Sequence, residues 1–380
     1  MKICVVTQQF GRRWSGLGTY ATNLVEGLVA RSISPVVICP AGMGEGTGAE
    51  IFPVSISGWE KAVNYWLPLA WKFRGALRQL AMKDTFDVIH FTDAREALFS
   101  GRAGTFHIGA MNDYYAASSP VNPLYFRRHY SDWPARYPYY SFMKAVEPLA
   151  LRKLDAVIAN SNYVRDVLIE NYSIASGKVR VINYGIEPPD ESIALEKLEG
   201  DPSILFVGAN FQRKGLPDLL QAAALVRNGL KGLVIHVVGE DSKERVMRDL
   251  AEQLGMGKSV QFHGLVNNNR VRRMMADMFV MPSLVEGFGI VFLEAMLNGV
   301  PVIGGKVGGT VELIQDGQNG FTVLPGDQED LARKIVRLAT DTKFRKRLIE
   351  AGKITAQEYT ISKMVDRTIE LYNRLIAGSA

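Results

Sequence analysis

Short unbroken apolar runs alternate with stretches in which apolar residues recur every three or four positions, along nearly the whole chain. The runs in the first half are KICVVT, SPVVICP, DVIHFT, AVIANS and VRVINYG. In the second half they are SILFVGA, LVIHVVGE, VQFHG, FVMPSL, PVIGGK and GFTVL. Valine- and isoleucine-rich runs without polar alternation read as strands covered on both faces, the signature of parallel sheets. The stretches at 20–31, 219–227, 246–254 and 331–339 have the 3.6-residue period of amphipathic helices. Strand and helix in alternation predict an α/β protein of doubly wound parallel sheets. Periodicity lapses over 183–203, where Pro188 and Pro189 adjoin scattered acids. We therefore expect a first domain at 1–185, a linker at 186–202 and a second domain at 203–363, facing each other across a cleft. The final amphipathic pattern, 356–377, is expected to bridge back, with about 364–380 on the first domain. In such sheets ligands bind outside the carboxyl ends of the strands.

Composition agrees with two globular domains. The chain has 380 residues, 47% hydrophobic and 22% charged, which excludes long disordered tracts. The formal net charge of +5 favours anionic partners such as nucleotides, phosphates or anionic lipid. Cys4 and Cys39 sit in apolar runs without zinc or disulfide spacing and are expected to be small core side chains. The opening MKICVV reads as a strand, and no apolar run reaches the roughly 18–20 residues of a spanning helix. The expected location is cytoplasmic, with peripheral contact at the inner membrane face left open.

Gly16-x-Gly18-x-x-Ala21 fits the dinucleotide pattern G-x-G-x-x-G/A. Its context does not fit. The first strand ends near Thr7, well before Gly16, and the second ends in Cys39-Pro40-Ala41 without the ribose-binding acid. The glycines still permit close backbone approach at a helix N-terminus, to an anion or simply within a tight loop.

The segment SLVEGFGIVFLEAMLNGVPVIGGKVGGTVELI, 283–314, carries the most chemistry. A strand leads into Glu286-Gly287-Phe288-Gly289, and a helix is predicted from Ile290 to Leu297, stopped by Asn298-Gly299. Glu286 precedes this helix and Glu294 lies one turn inside it. Between them the helix N-terminus offers free N–H groups and partial positive charge. Such a site suits a ligand with a negative middle and hydroxyls at both ends, as in a nucleotide-sugar. Either acid alone could instead be dipole complement or a solvated face. In SILFVGANFQRKGLPDLLQAA, Arg213 and Lys214 precede another helix. Cations there oppose the dipole unless an anion is also present, so they read either as a diphosphate clamp or as a solvated pair.

Glu286-x7-Glu294 in EGFGIVFLEAM, with VGANFQRKG and VGGTVELIQDGQNGFTV, resembles retaining glycosyltransferases of family 4, which have the GT-B fold. The resemblance spans essentially the whole chain and is most specific in the second half. In the first half, SGLGTYATNLVEGL resembles the family's glycine-rich loop and helix, with Ser15 in place of one glycine. The resemblance implies that Glu286 binds donor-sugar hydroxyls and Glu294 the ribose. Arg213 and Lys214 would hold the diphosphate, helped by the backbone of Gly208 and of Gly287, Phe288, Gly289 and Ile290. Gly16 and Gly18 would approach the donor from the first domain, and Leu265 and Val266 would read the base. It implies no cofactor and no metal, and the chain has no Asp-x-Asp pair at a strand end. Where the family often has a histidine before Asp, this chain has Asn112 before Asp113, both candidate site residues. His107 reads as a structural strand residue.

Acceptor contacts are expected from Arg12, Arg13 and Trp14, in the long insertion before Gly16. The segments 58–83 and 123–153 mix aromatics with cations. Trp66, Leu69, Phe73 and Leu77 could be simply one helix's core face. Alternatively, these segments, with Arg127, Arg128, Trp133 and Arg136 foremost, form a surface for an anionic membrane or lipid-linked acceptor. Nucleic acid is not expected, since no reader module is present and the charge excess is small. The expected activity is transfer of a hexose from a UDP- or GDP-linked sugar to a hydroxyl of a glycan, lipid-linked or small-molecule acceptor. The alternatives are a GT-B sugar-nucleotide epimerase, a phosphorylase-like enzyme (for which no pyridoxal motif is present), or a non-catalytic sugar-nucleotide binder.

Overall fold

The computed structural model describes residues 1–11, 16–44, 46–57, 66–101, 105–112, 133–188, 191–192 and 194–378, without the side chains of 133, 135, 136, 268 and 269. The chain forms two compact units. One comprises 1–185 with 360–380, and the other 186–359.

Unit 1 holds seven parallel strands: β1 (Ile3–Val6), β2 (Val36–Pro40), β3 (Glu50–Val54), β4 (Val88–Phe91), β5 (Phe106–Met111), β6 (Ala156–Ala159) and β7 (Val179–Val181). Their order is β3-β2-β1-β4-β5-β6-β7. Every residue of β1, β4 and β6 is buried, as expected for strands with helices on both faces. Cys4 and Cys39 are buried thiols. The Gly16–Val29 helix follows β1, and the final helix, Ile361–Ala377, packs against it. A Cβ on Gly27 would stand 2.4 Å from Val365 Cγ2, so the two helices meet at a residue without a side chain.

Unit 2 repeats the plan with β9 (Ser203–Val207), β10 (Val234–Val238), β11 (Val260–Phe262), β13 (Met278–Met281), β14 (Val302–Gly305) and β15 (Phe321–Val323), ordered β11-β10-β9-β13-β14-β15 and all parallel. A separate pair joins β8 (Glu196–Lys197) to β12 (Met274–Met275). In each sheet the strand order reverses beside the first strand: between β1 and β4, and between β9 and β13. That reversal is where loops at the carboxyl ends diverge and leave room for a ligand.

Two boundaries and one helix face differ from the sequence expectation. The stretch 186–202 groups with unit 2, carries β8 and buries Leu198. The pattern at 356–377 is two helices, because the Thr342–Gln357 helix ends before Thr360 starts the next by accepting from the Lys363 N–H. In the Trp66–Ala81 helix the buried face is Trp66, Leu69, Ala70, Phe73, Ala76 and Leu80, while Leu77 is only half-buried.

Candidate functional site

In unit 2 the β9 and β13 loops meet at the strand-order reversal. After β9 the chain passes Gly208, turns at Asn210 in the left-handed region (φ 57°) and brings Arg213 and Lys214 to the start of the Leu216–Val226 helix. The Leu284 N–H donates to the Arg213 carbonyl at 2.8 Å, tying this loop to the one after β13. Lys214 Nζ donates to Glu286 Oε2 at 2.5 Å, and the Ser283 hydroxyl donates to the same oxygen at 3.4 Å. Glu286 is 8% exposed. Burial opposes its ionisation, but the charges of Lys214 and Arg213 and the two hydrogen bonds outweigh it and hold the carboxyl below its ordinary range.

The loop enters the Ile290–Leu297 helix through Gly289, whose φ of 93° and lack of a Cβ are both required, since a Cβ would lie 2.7 Å from Phe292 Cδ2. The Glu286 carbonyl accepts from the Gly309 N–H at 3.0 Å, and a Cβ on Gly309 would meet the Gly287 carbonyl oxygen at 2.1 Å. The VGG motif therefore buttresses the glutamate loop from behind. As expected, the helix runs Ile290–Leu297 and stops at Asn298 and Gly299, the latter with φ 74°.

Glu294, one turn into this helix, meets an arginine that the sequence reading passed over. Arg272 Nε donates to Glu294 Oε1 at 3.0 Å, and its Nη1 donates to Glu187 Oε2 at 3.1 Å. Arg272 is 6% exposed. Burial raises the Glu294 carboxyl above its ordinary range against the pull of Arg272. Arg272 was not legible because NRVRR looks like a solvated basic run; only the β8–β12 pairing beside it turns it inward.

The other expected residues lie elsewhere. Leu265 and Val266 follow β11, the edge strand, at the same carboxyl end of the sheet, with Leu265 56% exposed. Gly16 and Gly18 open the Gly16–Val29 helix in unit 1, nine residues or more past the end of β1, as the rejection of a dinucleotide site requires. Arg12, Arg13, Trp14, Asp113, Arg127 and Arg128 lie outside the described residues, as do the side chains of Trp133 and Arg136. Asn112 belongs to a ladder across the carboxyl edge of the first sheet. Asn183 Nδ2 donates to the Asn160 carbonyl, Asn160 Nδ2 to the Asn112 carbonyl, and Asn112 Nδ2 to the Thr92 carbonyl, at 3.0, 3.4 and 2.5 Å. These amides satisfy the strand-end carbonyls of β4, β5 and β6. His107 is buried within β5, as expected. Among the described residues, no group of three or more His, Cys, Asp or Glu is placed to hold a metal ion, and no helix is long and apolar enough to cross a membrane.

Two Rossmann-like units with parallel sheets of this order match the two halves of the GT-B fold. Sequence comparison carries this further: the family Glycosyltransferase Family 4 matches residues 14–189, and Glycosyl transferases group 1 matches 189–355. Between them the two glycosyltransferase models match both halves of the chain, which marks it as a glycosyltransferase of the GT4, GT-B type. An uncharacterized glycosyltransferase, MJ1607, of Methanocaldococcus jannaschii is 30% identical over 243 residues, which span 60% of this chain and 62% of that relative. Among solved structures, sucrose-phosphate synthase from Thermosynechococcus elongatus superposes with a TM-score of 0.80 at 19% identity, covering all of both chains. Anabaena HepE, solved with UDP and glucose, superposes with a TM-score of 0.75 at 20% identity, covering 97% of this chain and 99% of that one.

Proposed function

We propose that the chain transfers a hexose from a nucleoside-diphosphate sugar, UDP- or GDP-linked, to an acceptor hydroxyl with retention at the anomeric carbon and without a metal. The observation that carries this reading is the buried Lys214–Glu286 pair, with Arg213 beside it, at the start of two helices. Breaking the bond between sugar and diphosphate builds negative charge on the leaving oxygen. Arg213, Lys214 and the start of the Ile290–Leu297 helix supply fixed positive charge there, and removal of one such donor typically costs about 3–4 kcal/mol of transition-state stabilisation. Glu286 has a second role as acceptor for sugar hydroxyls, since an ionised carboxylate accepts about four hydrogen bonds and its cationic neighbours keep it ionised. Glu294 takes the ribose. HepE was solved with UDP and with UDP-glucose, which supports a uridine donor as the first to try. The acceptor is a glycan, a lipid-linked sugar or a small molecule, and unit 1 supplies its contacts.

A thermal-shift panel of UDP-, GDP- and ADP-sugars tests this reading. One donor should raise Tm, by an amount set by its concentration relative to Kd. Lys214→Ala and Glu294→Ala should each abolish the shift. If no donor stabilises the wild type, the donor site is misassigned.

A further inference from the structure

We infer that Arg272 is a positioning residue for Glu294, and that through Glu294 it sets how strongly the site distinguishes a ribonucleotide from its 2′-deoxy form. The inference rests on the donor-site reading above.

The guanidinium is a rigid planar fork. One side, Nε, holds Glu294 Oε1, and the other, Nη1, holds Glu187 Oε2. Its backbone leaves the Asn268–Val271 helix and enters β12, which is fixed by pairing with β8. Glu187 is fixed in turn, because the adjoining Ile186 N–H donates to the Tyr359 carbonyl at 2.9 Å. The fork is thus anchored from both ends, and it presses on one oxygen of Glu294. The second oxygen, Oε2, accepts no hydrogen bond among the described residues, and the side chain stays 12% exposed.

The charge balance sorts the ligand. Two carboxylates face one guanidinium, so this cluster suits groups that donate hydrogen bonds and repels a diphosphate. Around Glu286 two cations face one carboxylate, and the preference is reversed. A vicinal diol, the ribose edge, fits the first, and phosphate oxygens fit the second. A small cavity between the Ile290–Leu297 helix and the sheet is lined by Arg272, Glu294, Asn298, Val207 and Phe279. Both charged groups therefore border open space beside the helix.

A merely structural arginine and a positioning arginine predict different outcomes. Losing a structural ion pair weakens ribo- and deoxyribonucleotides alike. Losing the positioning fork lets Glu294 turn away and removes the preference itself. The experiment is calorimetric titration of the full chain with UDP, GDP and ADP and with their 2′-deoxy forms. The wild type should favour the ribo form of its nucleotide by about tenfold or more, as expected for a hydrogen bond to a charged group. Arg272→Met should bring that ratio below about threefold, with Arg272→Lys between the two, because an ammonium keeps the charge but not the fork. Glu187→Gln, which leaves Arg272 paired with Glu294 and no buried charge unpaired, should lower the ratio at least about twofold, and it carries the test if Arg272→Met does not fold. Variants that keep the wild type's full preference would overturn the inference alone, and a wild type without ribose preference would overturn it together with the placement of ribose at Glu294. A wild type that binds none of the six nucleotides would overturn the donor-site reading beneath it.

Discussion

His90 sits inside unit 1 with both ring nitrogens engaged: the Tyr20 hydroxyl lies 3.0 Å from Nε2 and the Tyr372 hydroxyl 2.6 Å from Nδ1. It links the glycine-bearing first helix to the final one. Full burial lowers its pKa to about 3. A histidine depressed on folding contributes stability above its unfolded pKa, near 6.5, and loses it as pH falls toward the folded value. Between pH 7 and pH 5, His90 should cost unit 1 about 2 kcal/mol. Buried Glu96, whose carboxyl is raised first by burial and then by Asp93, acts in the opposite sense. The difference between wild type and His90→Gln in denaturant midpoint across that pH range isolates the histidine; equal slopes would refute the assignment. The legible residues were those with a local signature. Glu286 and Glu294 follow from spacing around one helix start, and Arg213 and Lys214 from their position before another. Arg272 and the asparagine ladder could not be read, because their partners lie up to 85 residues away, as with Glu187.

Most elements announced themselves by period. Strands buried on both faces gave unbroken apolar runs, and these were read correctly. β3 was missed because Glu50 and Pro53 interrupt EIFPV; it pairs only with β2, at the sheet edge, where a proline is tolerated. β8 and β12 were missed because two-residue strands have no period. The Trp66–Ala81 helix bears on the membrane proposal. Its outer face carries Trp71, 57% exposed, with the Arg74 guanidinium 5.0 Å from the ring centroid and Arg78 exposed nearby. Met82, just past its end, is 81% exposed. Aromatic and cationic side chains on one exposed face suit the interface of an anionic bilayer, and the electrostatic part is screened by salt. The chain should cosediment with phosphatidylglycerol vesicles at low salt and release at high salt, and Trp71→Glu should weaken binding several-fold. Absence of binding at low salt would remove the proposal.

The molecule uses one plan twice: a parallel sheet whose strand order reverses beside its first strand, where the carboxyl-end loops diverge. That duplication was legible, since both halves open with strand, loop and helix. The exchange at the junctions was less so. The chain enters unit 2 after Gly185 and leaves before Thr360, and the two crossing segments bond to each other through Ile186 and Tyr359. No local pattern records a pairing across 173 residues. The central claim is that the two glutamate clusters of unit 2 divide a nucleotide-sugar between them, diphosphate at Lys214 and ribose at Glu294. A crystal structure of the chain with the donor that stabilises it tests this most directly. The account predicts phosphate oxygens within hydrogen-bond reach of Lys214 and the amides of 287–290, with both ribose hydroxyls on Glu294. A nucleotide bound away from those residues, or lying with its diphosphate against Arg272, would contradict it.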